Sequence, residues 1–363
     1  MTTGKGRPAD ELRRQRERGI KMDVEGKRAP FEIRGDDWYN KPLDYQVIIY
    51  EPNHETHVAK ITMNRPEAMN SLSHQLRAEL FHALKVAEKD TDINVIIIKG
   101  RGRCFSAGYD LVAANIGVNE PDFGGQYVGD AHWPRYLINQ YWQIWDLNKI
   151  VIAQTHGYVL AGGSELCFAC DLLVTTPDCQ FGYPPVRAMG TPDLMWFPWL
   201  LPMRKAKEMA FSGDSITGQQ AFEYGMANYV VPQSEIDEFT ETFAKRMAIT
   251  PWQVTSLYKR SIQKAYEIMG IRQALEANVP FYSLSRETDW MKGFTELMSR
   301  VPLREYLTIR DGPYRDYRTQ EEAILSRAQR EGEAWKKVSE EAKGKISENV
   351  AEVNKMKSKS KKK

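Results

Sequence analysis

The sequence has few of the residues that mark metalloproteins, disulfide-stabilised proteins and nucleic-acid binders. Its 363 residues include only four cysteines, which do not make a disulfide framework in a chain of this length. Six histidines form no HxxxH or HExxH pattern, so we expect no metal site. The 50 basic and 48 acidic residues leave a net charge of +2, which argues against a DNA-binding protein.

Long apolar runs are also missing. No uninterrupted apolar stretch approaches the ~18 residues of a membrane span, so we expect no membrane partner. The first residues are charged, include Asp10 and Glu11, and contain no apolar signal-peptide core, which favours a cytoplasmic location. Hydrophobic residues still make up 42% of the chain and aromatic residues 11%, enough for a large folded core.

One cysteine pair has metal-like spacing, because Cys167 and Cys170 form a CxxC. The surrounding segment SELCFACDLLV is apolar, and neither a second CxxC nor a histidine lies at ligand spacing. We interpret the two thiols as small buried hydrophobes, with a redox or zinc role as the alternative.

The alternation of short apolar strands and helical segments predicts an α/β protein with crossover connections. Short apolar strands are predicted at 46–51, 58–64, 94–99 and 149–155, and a helix with Ser73 as N-cap follows the second of them. The pattern becomes helical beyond Gly190, with capping boxes predicted at 217–220 and 250–253 and helices to about Arg300. We expect four regions: a charged arm (1–44), an α/β core (45–232), a helical region (233–318) and a charged helical or disordered tail (319–363).

Two glycine turns, at 106–110 and 161–165, each follow a buried strand. Such turns let the backbone approach a ligand closely, and a helix that follows adds partial positive charge at its N-terminus. Two of them at neighbouring strand ends could aim one N–H each at the same oxygen, which is an oxyanion hole. Glycine turns are also common connectors, so spacing alone leaves both interpretations open.

At these residues the sequence resembles the crotonase (enoyl-CoA hydratase/isomerase) superfamily over about 46–285. Residues 64–72 read NRPEAMNSL, similar to NRP-x-A-x-N-A-L, and residues 104–111 read CFSAGYDL, similar to F-S/C-A-G-x-D-L. Residues 157–166 read GYVLAGGSEL, similar to G-x-A-x-G-G-G-x-E-L. The later segments QFG (180–182), SGD (212–214), A-x-x-x-G (221–225) and VP (231–232) follow in family order.

The resemblance implies a crotonase-like ββα spiral with a helical C-terminal trimerisation region, assembled as homotrimers or homohexamers. It implies an acyl-CoA substrate, with no cofactor beyond the coenzyme A that the substrate carries. The family's oxyanion hole falls on the N–H groups of Tyr109 and Gly162. The residues implied to line the substrate and CoA path are Arg65, Ala68, Met69, Ser106, Ala107, Gly108, Asp110, Leu111, Leu160, Ala161 and Pro184. Arg65, Arg101 and Arg103 are candidates for the nucleotide phosphates, or else plain surface charges.

The expected carboxylates depart from the family pattern. The first catalytic glutamate of a family hydratase matches Glu165, but the second falls on Pro185, which cannot transfer a proton. The resemblance therefore leaves one placed carboxylate, and its pKa would rise in an apolar pocket. Asp193, in a shortened loop at 190–198, is a candidate replacement, although loop acids are usually solvated. Tyr109 and Tyr183 could supply a phenol or simply pack, and His156 is expected to be a satisfied core imidazole.

We expect hydration of, or elimination to, an enoyl-CoA, with Glu165 as the water-activating base. The aromatic insert (Tyr127, Trp133, Tyr136, Tyr141, Trp142) suggests a bulky or cyclic acyl group, and His132 and Trp133 could belong to a lid. The alternatives are hydrolysis of a C–C bond in a cyclic oxoacyl-CoA, isomerisation, and a non-catalytic subunit. Such a subunit could bind RNA through the lysines at 355, 357, 359 and 361–363, but a run of this kind is usually a solvated tail, so we expect no RNA partner.

Overall fold

The computed structural model describes residues 43–111, 132–188 and 190–314. The predicted tail with its lysines and all but the last two residues of the predicted arm lie outside these ranges, as does Tyr127. The described residues from Tyr45 onward belong to one unit.

The strands in the described ranges form two sheets. They are β1 (Ile48–Asn53), β2 (Val58–Met63), β3 (Val95–Gly100), β4 (Ile150–Thr155), β5 (Tyr158–Leu160), β6 (Leu172–Thr175), β7 (Gln180–Gly182), β8 (Ile216–Thr217) and β9 (Tyr229–Val230). The larger sheet has the order β1-β2-β3-β4-β6-β9, antiparallel between β1 and β2 and parallel elsewhere. The smaller sheet has the order β5-β7-β8.

Both faces of the large sheet are buried, which explains the continuous apolar run in β3. Ile96 and Ile98 point into a core that includes α1 (His74–Lys89). Val95 and Ile97 point to the other face, into a smaller core that includes Ile236. Alternate residues of one strand therefore fill two cores.

The chain moves between the sheets in repeated turns. It enters the large sheet at β4 and the small sheet at β5, and then does the same at β6 and β7. An isolated bridge between Ser106 and Val159 brings the segment after β3 into the same series. This is the predicted ββα spiral, and its turns place the segments that follow β3 and β5 side by side.

The helices that follow α1 confirm most of the predicted helical pattern. They are α2 (His132–Trp145), α3 (Gly162–Phe168), α4 (Phe197–Leu200), α5 (Met203–Ser212), α6 (Gly218–Glu223), α7 (Ile236–Ala248), α8 (Trp252–Ile268), α9 (Ile271–Glu276), α10 (Asn278–Arg286), α11 (Asp289–Arg300) and α12 (Leu303–Asp311). The last of these lies past the helices predicted to about Arg300 but inside the helical region predicted at 233–318. Ser73 caps α1 by accepting from the N–H of Leu76, and Thr217 and Gln220 form the predicted capping box of α6.

The second predicted capping box, at 250–253, is wrong. Helix α8 begins at Trp252, and its N-cap residue, Pro251, has no side chain that can cap it. The N–H of Trp252 instead donates to Oδ1 of Asn94, 158 residues away, over 3.1 Å. A distant side chain thus satisfies the helix end, and local sequence carries no sign of it. Within the described ranges, no helix is both long enough and apolar enough to cross a membrane.

Candidate active site

The second glycine turn places Glu165 at the start of a short buried helix. Ala161 precedes α3 with a φ of 51°, in the left-handed region, and its N–H donates to the carbonyl of Gly182 over 3.0 Å. Gly162 is the first residue of α3, so its N–H has no acceptor within the helix. Glu165 lies in the first turn and is 2% exposed.

The first glycine turn is held by a buried asparagine. Asn70 donates from its side chain to the carbonyls of Arg101 and Cys104, both over 2.9 Å. The backbone carbonyl of Asn70 accepts from the Ser106 hydroxyl over 2.8 Å, and that hydroxyl oxygen also accepts from the N–H of Gly108 over 3.2 Å. These bonds tie the turn at 106–110 to Asn70 and so fix its position.

The two turns lie in direct contact. The N–H of Leu160 donates to the carbonyl of Ser106 over 3.1 Å, as in a sheet. A Cβ at Gly108, where φ is 98°, would lie 2.8 Å from Cβ of Ala161 and 3.5 Å from the nitrogen of Gly162. Only glycine fits between them, so the segments predicted to supply the two oxyanion-hole N–H groups are adjacent.

Glu165 is held from two directions. The Tyr109 hydroxyl donates to Oε2 over 3.0 Å, and the N–H of Leu194 donates to Oε1 over 3.2 Å. Burial raises the pKa of Glu165 well above its usual range, the nearby Asp193 adds to the shift, and the two donors offset part of it. A carboxyl with a raised pKa is better able to take up and return a proton than a solvated one.

Asp193 is the second carboxyl of the site. It is 2% exposed, unlike most loop acids, and burial raises its pKa to about 7. The Tyr109 hydroxyl and the guanidinium groups of Arg77 and Arg286 limit that rise. The loop is pinned from α10, where the side chain of Asn278 donates to the carbonyl of Pro192. Within the described ranges, Oδ1 of Asp193 is a buried oxygen without a hydrogen-bond partner.

The sequence pattern gave no structural role to three groups of the site: the Asn70 side chain, which clamps the first turn, the N–H of Leu194, and the Tyr141 hydroxyl. The Tyr141 hydroxyl lies 2.9 Å from that of Tyr109 and 3.2 Å from the carbonyl of Gly162. Tyr141 belongs to the aromatic helix α2, and the aromatic pattern was the only signal that pointed to it.

The predicted phosphate ligand Arg65 makes an ion pair inside the site. Its guanidinium lies 2.9 Å from the carboxylate of Asp110, and it donates to the carbonyl of Ser71 over 2.7 Å. This pair joins the segment at 65–71 to the first glycine turn. Arg101 and Arg103 are exposed in the segment between β3 and the first glycine turn.

The other predicted lining residues surround these turns. Ala68 ends a 3₁₀ turn (Pro66–Ala68) and Met69 follows in the left-handed region, with its carbonyl accepting from the N–H of Ala107 over 3.0 Å. Pro184 opens a second 3₁₀ turn, Pro184–Arg187, which contains Pro185. Leu111 packs against a separate small core that includes Ala188.

Several other candidates have structural partners. Nε2 of His156 lies 2.8 Å from the carbonyl of Gly102, as expected for a satisfied core imidazole. Cys167 is buried and Cys170 is partly buried, and both thiols are unbridged. Tyr183 packs edge-on against Phe197, with ring centroids 6.4 Å apart. In the part of the chain that the structure describes, no three His, Cys, Asp or Glu side chains are grouped as metal ligands.

The Asp193 loop carries Trp196, which packs against aromatic side chains of α2. The Trp142 ring lies 6.2 Å from that of Trp196 and 6.1 Å from that of Trp145, measured between centroids. The side chains of His132, Trp133 and Tyr136 lie outside the described residues, so the predicted lid stays a prediction.

Comparisons with known proteins agree with this architecture. The family profile described as enoyl-CoA hydratase/isomerase matches residues 53–302. EchA13 of Mycobacterium tuberculosis, provisionally named an enoyl-CoA hydratase, is 31% identical over 279 residues, covering 72% of this chain and 87% of its own. The (E)-benzylidenesuccinyl-CoA hydratase of Thauera aromatica is 30% identical over 196 residues, covering 53% of this chain and 73% of its own.

A solved structure has the same fold. The crystal structure of an enoyl-CoA hydratase from Mycobacterium smegmatis aligns with a TM-score of 0.69 and 27% identity, covering 77% of this chain and 100% of that chain. The profile match spans both glycine turns, Glu165 and the Asp193 loop. The chain therefore belongs to the enoyl-CoA hydratase/isomerase family, the crotonase superfamily that its motifs resemble.

Proposed function

We propose that this protein adds water to an enoyl-CoA, or eliminates it from the hydroxyacyl-CoA, through a thioester enolate. The observation that carries the proposal is the pair of buried carboxyls, Glu165 and Asp193, beside two glycine turns in contact. Enolate chemistry needs both parts: donors for the charged oxygen and groups that move protons at the neighbouring carbons.

The oxyanion hole is assigned to the N–H groups of Tyr109 and Gly162. As water adds to the β-carbon, negative charge collects on the thioester oxygen, where two fixed donors stabilise it by several kcal/mol. The N-terminus of α3 adds a favourable partial charge at Gly162. The CoA moiety is proposed to run along 68–70 and 106–111, with Arg101 and Arg103 exposed toward its phosphates.

The carboxyl pair supplies the proton chemistry. Burial raises the pKa of both carboxyls and the charge of Asp193 raises that of Glu165 further, so the pair holds one proton more readily than two separate carboxyls would. Glu165 receives hydrogen bonds from the Tyr109 hydroxyl and the N–H of Leu194, so we assign it the carboxylate that takes a proton from the attacking water. Asp193 is assigned the acid that delivers a proton to the α-carbon. After the step Glu165 is protonated and Asp193 is ionised. Transfer of a proton from Glu165 to Asp193, directly or through solvent, restores the starting state.

An aromatic wall favours a bulky or cyclic acyl group. Trp196 belongs to the loop that holds Asp193 and packs against Trp142, and the hydroxyls of Tyr109 and Tyr141 lie next to Glu165. The relative from Thauera aromatica is named for a benzylidenesuccinyl group, which contains a benzene ring. Flat rings stack well against aromatic side chains.

The outer face of α8 supports assembly into trimers or hexamers of identical chains. The inner face is anchored by Lys259, whose Nζ lies 2.8 Å from the Asp171 carboxylate. The opposite face exposes the apolar residues Val254, Leu257, Tyr258 and Ile262. Four exposed apolar residues on one helix face are a candidate protein interface. Leu257→Glu is expected to reduce the mass measured by light scattering to that of a smaller assembly.

The proposal is tested by incubating the purified protein with crotonyl-CoA, a cyclic enoyl-CoA, a benzylidene-type enoyl-CoA and a cyclic β-oxoacyl-CoA. Hydration gives a β-hydroxyacyl-CoA, whereas C–C hydrolysis opens the ring and creates a new carboxylate, which NMR distinguishes at equal mass gain. Turnover of an enoyl-CoA supports the proposal. Turnover of only the oxoacyl-CoA identifies a ring hydrolase, and double-bond migration without water addition identifies an isomerase. Binding without turnover of any thioester identifies a non-catalytic subunit.

A further inference from the structure

Three hydrogen bonds connect Glu165 to the backbone of its own helix through two phenols. The Tyr109 hydroxyl lies 3.0 Å from Oε2 of Glu165, the Tyr141 hydroxyl lies 2.9 Å from that of Tyr109, and the carbonyl of Gly162 lies 3.2 Å from the Tyr141 hydroxyl. We infer that Tyr109 and Tyr141 form a reversible hydrogen-bond relay, which keeps Glu165 paired both as a carboxylate and as a carboxylic acid. The inference rests on the proposed role of Glu165 as a base that passes between these two states.

The first proton arrangement suits the carboxylate. An ionised carboxylate only accepts, so Tyr109 donates its single hydroxyl proton to Oε2 of Glu165. The Tyr109 oxygen then accepts the proton of Tyr141. Each of the two phenols donates once, and the Glu165 carboxylate receives the Tyr109 hydroxyl as a donor in addition to the N–H of Leu194.

The second arrangement suits the carboxylic acid. Protonated Glu165 donates to the Tyr109 oxygen, Tyr109 donates to the Tyr141 oxygen, and Tyr141 donates to the carbonyl of Gly162. Either phenol oxygen can be the donor in the bond between them. The change adds one proton at Glu165 and rotates two hydroxyl groups, without moving a heavy atom and without breaking a covalent bond.

Packing fixes both phenols in place. A Cβ at Gly162 would lie 2.6 Å from Cζ of Tyr109, so the Tyr109 ring rests directly on the glycine backbone. The Tyr141 ring packs edge-on against Phe81, with centroids 6.5 Å apart, and is buried. The oxygens are thereby held at hydrogen-bond distance, which a pair of solvated tyrosines would not maintain.

Other titratable groups face the pair from neighbouring elements, and they set the charge that the relay has to accommodate. They are Asp193 and Tyr183 from the two loops after β7, Tyr282 and Arg286 from α10, and Arg77 from α1. The Arg77 guanidinium lies 6.0 Å from the centre of the Tyr109 ring. Conservative Tyr→Phe changes leave all of these groups in position.

The relay predicts opposite effects for its two members. Tyr109→Phe removes a donor from the carboxylate, and because bonds to charged groups are the stronger ones, the acid limb of the kcat/KM profile should move up by about one pH unit. Tyr141→Phe leaves that donor but removes the Tyr141 oxygen as an acceptor for Tyr109 when Glu165 is protonated. Among the described residues, only the Asp193 carboxyl is then left in reach of the Tyr109 hydroxyl. The acid limb should therefore move down, by about half a unit.

The double variant separates a relay from packing. Because Tyr141 acts on Glu165 only through Tyr109, Tyr141→Phe should cause no further shift in the Tyr109→Phe background. Tyr50→Phe is the matched control, since within the described ranges the buried Tyr50 hydroxyl has no hydrogen-bond partner, and its profile should equal the wild type. Additive shifts, or shifts of both single variants in the same direction, would overturn the relay.

A second readout does not depend on turnover. The infrared carbonyl band of the protonated buried carboxyls, assigned by its loss in Glu165→Gln, should titrate with the same opposite shifts in the two variants. Absence of enoyl-CoA turnover in the wild type together with these infrared shifts would refute the proposed function and keep the relay. Normal turnover with unshifted bands would refute the relay and keep the proposed function.

Discussion

The backbone N–H of Leu194 donates to Oε1 of Glu165 over 3.2 Å, so the loop that carries Asp193 is tied directly to Glu165. The bond brings a second carboxyl into the buried site, although the position that matches the family's second glutamate is Pro185. We therefore propose that the proton donor missing at Pro185 is replaced by Asp193, which comes from the next loop along the chain and not from the turn Pro184–Arg187.

Asp193→Asn is expected to stabilise the protein most at alkaline pH. Burial raises the pKa of Asp193 to about 7, so the folded state holds a proton that the unfolded chain releases near pH 4. The folded state binds more protons between these values, so the wild-type free energy of unfolding falls as pH rises through this window. Between pH 5 and pH 8 the advantage of the variant should grow by about 2–3 kcal/mol.

Urea unfolding of both proteins at pH 5 and pH 8 measures this difference. An advantage that stays constant between the two pH values would mean that Asp193 titrates normally in the folded protein. Glu241→Asn provides a comparison, because Glu241 is only partly buried and its pKa is lowered by Lys245 and Lys60.

Gly108→Ala should impair activity far more than an equally strained glycine elsewhere. At Gly108 a Cβ would lie 2.8 Å from Cβ of Ala161 and 2.9 Å from the carbonyl of Leu160, so the two glycine turns would be pushed apart. Gly225 also has a positive φ, of 79°, but a Cβ there meets nothing within 4 Å. Gly225→Ala should cost about 1 kcal/mol of stability and leave kcat unchanged.

The measurement is kcat for both variants, with unfolding free energies as the reference. We expect at least a tenfold loss of kcat for Gly108→Ala, because misplaced oxyanion donors lose much of their effect. Equal activity of the two variants would show that contact between the turns does not matter for the reaction.

Asn94→Ala should destabilise the joint between α7 and α8. The Asn94 side chain donates to the carbonyl of Ala248 over 2.8 Å and accepts from the N–H of Trp252 over 3.1 Å. Its loss leaves two helix-end groups unpaired, at a cost of about 1–3 kcal/mol. Chemical unfolding measures the cost, Asn94→Asp should restore the half that accepts, and an unchanged midpoint for Asn94→Ala would contradict the cap.

Much of the site was predictable because its signals are local. The NRP, SAGYD and AGGSE segments each fix their own turn, and the structure brings those turns into contact as the resemblance implied. The Ser73 cap and the Thr217 capping box are equally local and were predicted correctly.

The features that escaped prediction depend on residues far apart in the sequence. The cap of α8 comes from Asn94, 158 residues away, and not from the predicted Thr250. Burial of Asp193 depends on α10, whose Asn278 holds the loop from 86 residues away. No local pattern carries such information, because only tertiary packing decides which distant group reaches an unpaired backbone or carboxyl group.

Arg187→Met should expose the cost of a broken buried ion pair. The Arg187 guanidinium lies 2.8 Å from Asp214 and 3.0 Å from Asp311, and it holds the turn Pro184–Arg187 to α12. Leaving the buried Asp214 without its cation should cost about 3–5 kcal/mol. The double variant with Asp214→Asn should recover part of that loss in urea unfolding, and no recovery would mean that Asp214 carries little of the penalty.

The most direct test of the proposed reaction is the turnover of an enoyl-CoA by Glu165→Gln, beside wild type and the partly buried control Glu241→Gln. Glutamine keeps the size of the side chain but cannot take a proton from water, so kcat should fall by about 100-fold or more while KM changes little. The control should match wild type. Equal kcat for Glu165→Gln and wild type would contradict the account, because it would remove the buried carboxylate from the reaction.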